Sequence, residues 1–250
     1  MSRTERPISD VEKRLPILGH LAELRNRLTR SVIAVFVTTV IAFVFYNQIF
    51  DIMLRPAGDA EFIAIELTEN IGTVMRVCLT AGIMAAVPYL TSEFILFVAP
   101  ALTPREKRYV YFALPWIGLM FVGGVVFGYF ILIPPAVNFL LGFGNEIATV
   151  QPRIGNYIAL VTRLLLAIGL VFEMPVVTTF LARIGVINGR WLARKRKMAI
   201  VLAFVLGAII TPTFDPINQA LVSAPLIVLY EMSIWLAYLF GKKRKPAEAA

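Results

Sequence analysis

The chain has one cysteine, Cys78, and one histidine, His20. A single thiol excludes an internal disulfide framework and any Cys-ligated zinc site. A single imidazole excludes a histidine cluster for metal, and the two together leave no Ser-His-Asp or Cys-His constellation to assemble. No glycine-rich phosphate loop is present, so nucleotide hydrolysis is not expected. Residues 1–30 are charged, the first apolar run lacks a small-residue cleavage site, and no adjacent arginines occur among them. Neither a secretory signal peptide nor a twin-arginine export signal is therefore expected. Charge is scarce as well, at 16% of residues, against about 25% in soluble domains. No enzyme, cofactor or metal is expected.

What the chain has in excess is apolar sequence: 58% of 250 residues, with mean hydropathy +0.77. Only a polytopic helical membrane protein fits that composition. Six runs read as spans, about 28–45, 71–98, 109–133, 157–181, 198–210 and 217–240. The predicted fold is all-α, one integral membrane unit over 1–250 with polar tails at 1–14 and 242–250. Residues 16–28 carry Leu18, Leu21, Leu24 and Leu28 at helical spacing, which predicts an amphipathic helix lying on the membrane surface. Residues 46–70 and 134–156 read as outer loops. Thr103-Pro104-Arg105-Glu106 reads as a helix start, with a cap residue, a proline in the first turn and an acid three residues on. Pro88 and Pro175 fall inside spans, where kinks are expected. Span five holds only about thirteen apolar residues, or roughly 20 Å, against roughly 30 Å of hydrocarbon.

The formal charge is +8, which on its own would suit nucleic acid. Its distribution argues otherwise. With six spans both termini share one side, and that side carries 20 of the 24 Lys and Arg residues; only Arg55, Arg76, Arg153 and Arg163 fall to the other. The excess fixes the termini as cytoplasmic, and no nucleic-acid partner is expected.

Three acids stand out inside the spans. Glu173 lies in the apolar run 163–180 and is followed by Pro175; Glu93 and Glu231 lie in spans two and six. A carboxylate at mid-membrane costs roughly 2.5 to 3.5 kcal/mol on insertion scales, so by default it marks function. Each acid sits about ten residues, or roughly 15 Å, from the cytoplasmic end of its span, and no Lys or Arg is expected at that level. Either the three are separate polar packing contacts between helices or they serve a function, with Glu173 the stronger candidate. A further pair, Glu23 and Glu106, lies on the cytoplasmic rim among Arg25, Arg27, Arg105, Lys107 and Arg108. This pair reads either as a salt-bridged surface or as a recessed acidic site for a cationic ligand, for which arginine is suited by its planar fork.

The run His20-Leu21-Ala22-Glu23-Leu24-Arg25-Asn26-Arg27-Leu28, with Phe172-Glu173-Met174-Pro175 and Thr211-Pro212-Thr213-Phe214-Asp215-Pro216-Ile217-Asn218-Gln219, resembles the TatC family, the multispanning subunit of the twin-arginine protein translocase. Phe97-Val98-Ala99-Pro100-Ala101-Leu102 and Leu229-Tyr230-Glu231 strengthen the likeness, which covers about residues 15–241. The resemblance implies a concave, glove-like bundle in the cytoplasmic (inner) membrane. It implies that Arg-Arg signal peptides of folded proteins dock at Glu23 and Glu106, flanked by Arg25 and Arg27. It further implies that Glu173, the acid of the FExP motif, faces a cavity that helps receive the single helices of TatA- and TatB-type subunits. Gln219 and the short span five match the edge assigned to those partners, and Pro56 matches a proline of the outer face. Self-association in a larger complex and the proton motive force as energy source are implied too. Position 93 is more usually glutamine in that family, and Pro104 stands where a basic residue is frequent. The rival reading is a secondary proton- or cation-coupled transporter with Glu93, Glu173 and Glu231 as its relay.

Overall fold

The computed structural model describes residues 10–58, 60–98, 104–142, 151–211 and 216–241. The Thr103 cap, the turn 212–215 and both polar tails up to 9 and from 242 lie outside the described residues, as does the Glu106 side chain. The described residues are almost wholly helical: α1 (Asp10–Val44), α2 (Tyr46–Leu54), α3 (Glu69–Val98), α4 (Pro104–Phe127), α5 (Ile133–Gly142), α6 (Ile154–Arg183), α7 (Gly189–Arg194), α8 (Arg196–Ile210) and α9 (Pro216–Phe240). The all-α membrane fold is as expected. Among the described residues, five segments are long and apolar enough to cross a bilayer: Leu21–Val44, Glu69–Phe97, Tyr111–Gly142, Ile154–Arg183 and Gln219–Phe240. The fifth predicted span is α8, whose 15 residues reach only about 22 Å.

Three boundaries differ from the sequence reading. The amphipathic stretch and span one form one unbroken helix of 35 residues rather than a surface helix followed by a span. Good helix formers run through the junction, and no glycine or proline interrupts 20–44 to turn the chain. Second, Pro134-Pro135 do not end span three. A π-helical segment, Gly128–Leu132, joins α4 to α5, and the prolines occupy the first turn of α5, where missing N–H groups cost least. Third, the first outer loop contains α2 and a single 3-10 turn, Arg55–Ala57. That turn has Pro56 at its start and ends on Gly58, whose φ of 60° is one that glycine adopts without steric cost. Pro88 and Pro175 lie within continuous helices.

At the centre stands α6, packed against α3, α4, α8 and α9. Its Ile158, Val161, Leu164 and Ile168 are buried among Ile133, Val137, Val222 and Leu226 from its neighbours. Away from this core the surface is greasy; Phe36, Phe112, Phe130 and Trp235 are each about 70% exposed or nearly so, as expected where lipid replaces water. With no hydrophobic drive between helices in lipid, close approach must come from small residues. Gly82 supplies it for α1 on α3: a Cβ there would lie 2.5 Å from the Thr39 Cα and 2.7 Å from its backbone nitrogen. Thr38 Oγ1 donates to the Gly82 carbonyl at 2.7 Å across the same contact.

The end that carries the two loops read from sequence as outer is tied by polar groups. Tyr157 and Tyr129 donate their hydroxyls to the Met53 and Ile52 carbonyls, at 2.8 and 2.7 Å. Arg153 donates to Glu69 at 2.7 Å and to Glu66 at 2.9 Å. The backbone N–H groups of Ile65 and Gly155 also reach the Glu69 carboxylate. Glu69 and then Glu66 hold the Arg153 guanidinium above its ordinary range, so it stays charged at any working pH.

Candidate functional site

The sequence-predicted polar residues fall into four separate places. At the rim, Glu23 and Arg27 lie one turn apart on α1, and Arg27 donates Nε and Nη2 to Glu23 Oε1 at 3.0 and 2.8 Å. The same guanidinium donates Nη1 to Glu93 Oε2 on α3 at 2.6 Å. Tyr89 Oη donates to the other Glu93 oxygen at 2.8 Å. One guanidinium is thus clamped by two carboxylates from two helices, with only 9% of the Glu93 side chain and 20% of the Arg27 side chain exposed. Arg25, two residues before Arg27, is exposed. Glu106 begins the next membrane helix, α4, with its side chain outside the described residues.

This clamp corrects the expectation that no cation shares the level of the membrane acids. Because α1 is continuous, Arg27 lies inside the Leu21–Val44 segment rather than on a surface helix. Its long side chain then reaches the neighbouring helix. Glu231 is corrected in the same way: Arg196, the first residue of α8, donates Nη2 to Glu231 Oε2 at 2.8 Å.

Glu173 differs. It is 3% exposed, and among the described residues its one side-chain donor is Thr91 Oγ1 of α3, a partner the sequence reading missed. Its Oε1 is buried without a hydrogen-bond partner among the described residues. Thr91, one of the hydroxyl residues just before Glu93 in a mostly apolar helix, was the available signal. The carboxyl lies at the edge of an open groove of about 440 Å³ whose walls are Leu90, Thr91 and Phe94 of α3 with Leu170, Met174 and Val177 of α6. A buried acceptor left unmatched beside an open apolar groove is an incomplete site: it costs free energy in the resting chain and favours an arriving donor.

Gln219 does not border that groove. Its Nε2 donates to the Phe204 carbonyl at 2.9 Å, and it lines a second shallow concavity, about 620 Å³, with Ile200, Phe204 and Val205 of α8. Pro56 is half-buried in the 3-10 turn packed against α5. Among the described residues no group of His, Cys, Asp and Glu could hold a metal ion.

The family model for the Sec-independent protein translocase protein TatC matches residues 19–225. The TatC protein of Desulforapulum autotrophicum is 41% identical over 96% of this chain and 91% of its own length. That of Aquifex aeolicus is 39% identical over 94% of this chain and all of its own. Two crystal structures of the twin-arginine translocase receptor TatC superpose with TM-scores of 0.79 and 0.81 at 40% identity, covering 88% and 87% of this chain and 99% of each solved chain. A clamp for guanidinium at one end, an incomplete carboxyl site between α3 and α6, and relatives alike along nearly their whole length agree: the chain belongs to the TatC family, multi-pass membrane components of Sec-independent protein transport, and is not an enzyme.

Proposed function

We propose that this chain is the receptor of a twin-arginine translocase in the cytoplasmic membrane, with both termini in the cytoplasm. Glu23 and Glu106 take the paired arginines of a signal peptide, with Arg25 and Arg27 setting the local charge. The observation that carries this reading is the Arg27 clamp. Glu23 already holds a guanidinium at the rim, so the carboxylate environment suits arginine before any ligand arrives. A ligand arginine exchanges with Arg27 at Glu23, and charge-assisted bonds of this kind contribute roughly 1.5 to 3 kcal/mol each.

The apolar part of the signal peptide then lies along the bundle. The single helices of TatA- and TatB-type subunits dock on two surfaces, the groove beside Glu173 and the α8 edge with Gln219. A polar group on an incoming helix can satisfy Glu173 Oε1. The short α8 thins the bilayer at that edge and lowers the cost of opening it. The sequence has no phosphate-binding loop, and likeness to the TatC family implies the proton motive force as the energy source. The transporter reading is disfavoured, because Glu93 and Glu231, two of its three relay acids, are ion-paired to Arg27 and Arg196.

Replacing Glu23 and Glu106 together with alanine and measuring photocrosslinking to a signal peptide tests the docking role. Crosslinking should fall at least tenfold; undiminished crosslinking refutes it.

A further inference from the structure

A third concavity lies on the other flank of α6 from the Glu173 groove. It measures about 560 Å³ and runs between α4, α6 and α9, with Trp116, Met120, Pro175, Phe180 and Leu236 in its walls. Two of its described lining residues are cations, Arg108 near the start of α4 and Arg183 at the end of α6, and among the described residues no carboxylate lines it. Arg183 Nη1 donates to the Phe240 carbonyl at 2.8 Å, which stretches its guanidinium across to the end of α9. Both cations therefore sit at one mouth, and the described residues deeper in are apolar apart from Thr179.

Depth and charge together select the occupant. From Arg108 to Met120 the α4 wall extends about 18 Å, close to the roughly 15 Å of hydrocarbon in one leaflet. A groove open to lipid along its side and as deep as one leaflet suits an acyl chain. Two guanidiniums at its mouth suit a phosphate, which their planar forks grip in two places. An arginine-bearing peptide would bring like charge to like at this mouth and is disfavoured there. Basic pockets between membrane helices are known receptors for anionic headgroups on general electrostatic grounds.

We propose that this groove holds one anionic phospholipid of the leaflet on the basic side of the bundle. Its acyl chain lies along Trp116, Met120 and Pro175, and its headgroup lies between Arg108 and Arg183. Pro175 is two residues from Glu173 on the same helix, so the lipid buttresses α6 from behind the incomplete site. The proposal does not depend on signal-peptide docking at Glu23.

The test is native mass spectrometry of the full chain released from nanodiscs of equimolar phosphatidylglycerol and phosphatidylcholine. The parent should retain phosphatidylglycerol at about one per chain. Each guanidinium contributes roughly a fivefold preference near an anionic headgroup. Arg108→Gln, at an exposed position, should therefore lose about fivefold, and Arg108→Gln/Arg183→Gln roughly twenty-five-fold. The control pair Arg190→Gln/Arg194→Gln, exposed on α7, should keep the preference, and Ala113→Phe, which fills the groove, should release both lipids. Equal retention of the two lipids by the parent overturns the proposal. So does an undiminished preference in Arg108→Gln, or equal loss in the control pair. One-for-one displacement of the lipid by an Arg-Arg peptide also overturns it, by naming a peptide as the occupant.

Discussion

Arg27→Ala is the perturbation whose consequence the structure specifies most closely. Arg27 Nη1 lies 2.6 Å from Glu93 Oε2, and the Glu93 side chain is 9% exposed. Truncating Arg27 leaves that carboxylate with Tyr89 Oη as its remaining side-chain donor. Removing one partner of a fully buried pair costs about 3 to 5 kcal/mol, mostly through the charge left behind. Arg27 is 20% exposed, so partial solvent screening brings the expectation down to about 2 to 3 kcal/mol. The Glu23 side of the clamp, a more exposed pair one helical turn apart, adds only about 0.3 to 0.5 kcal/mol. Glu93→Gln keeps one acceptor oxygen for Arg27 and turns an amide N–H toward the Tyr89 hydroxyl, which can accept it, and about 1 kcal/mol is expected. Combining Arg27→Gln with Glu93→Gln should recover stability relative to the sum of the single changes, a coupling of about 2 kcal/mol. Reversible denaturant unfolding in a fixed micelle measures all of these. Arg25→Ala, on the same helix and exposed, is the control and should stay within about 0.5 kcal/mol of the parent. If Arg27→Ala is no worse than Arg25→Ala, the clamp does not hold α1 to α3.

Other substitutions probe the remaining parts. Gly82→Ala should cost about 3 kcal/mol or more, because the clash is with the Thr39 backbone as well as with its hydroxyl, so moving the side chain does not relieve it. Gly118→Ala, which meets nothing within 4 Å, should be neutral in the same unfolding assay; equal costs would refute the close α1–α3 approach. Glu173→Gln should unfold within about 1 kcal/mol of the parent, since Thr91 keeps an acceptor, yet should impair export of a twin-arginine reporter; full export refutes its proposed role. Arg153→Ala should speed hydrogen exchange at the Ile63, Ile65 and Gly155 amides, which the Glu69 and Pro152 acceptors now hold. Unchanged exchange would show that the outer cap does not rest on that guanidinium.

Five of the six predicted spans were legible because an apolar run of twenty residues has few alternatives in water or lipid, and Glu173 because an acid in such a run stands out. Thr91 and the Arg27–Glu93 pair were not, for a physical reason. Both are contacts between helices far apart in sequence, and the rotation and depth of one helix against another are set by packing such as Gly82 on Thr39. Counting Arg27 as a surface residue followed from ending the surface helix near Leu28, where nothing in the sequence breaks the helix. Pro134-Pro135 misled in the opposite direction: they signal a stop, but the π segment before them lets the chain continue. Which carboxylate finds which arginine was therefore hidden, whereas the abundance of arginine on one side was plain.

Fluorescence anisotropy of a labelled signal peptide titrated with the full chain in nanodiscs tests the docking of paired arginines most directly. The parent should prefer an Arg-Arg peptide over its Gln-Gln counterpart by at least roughly tenfold, and Glu23→Gln/Glu106→Gln should abolish the preference. An equal preference in that variant would contradict arginine capture by the rim carboxylates.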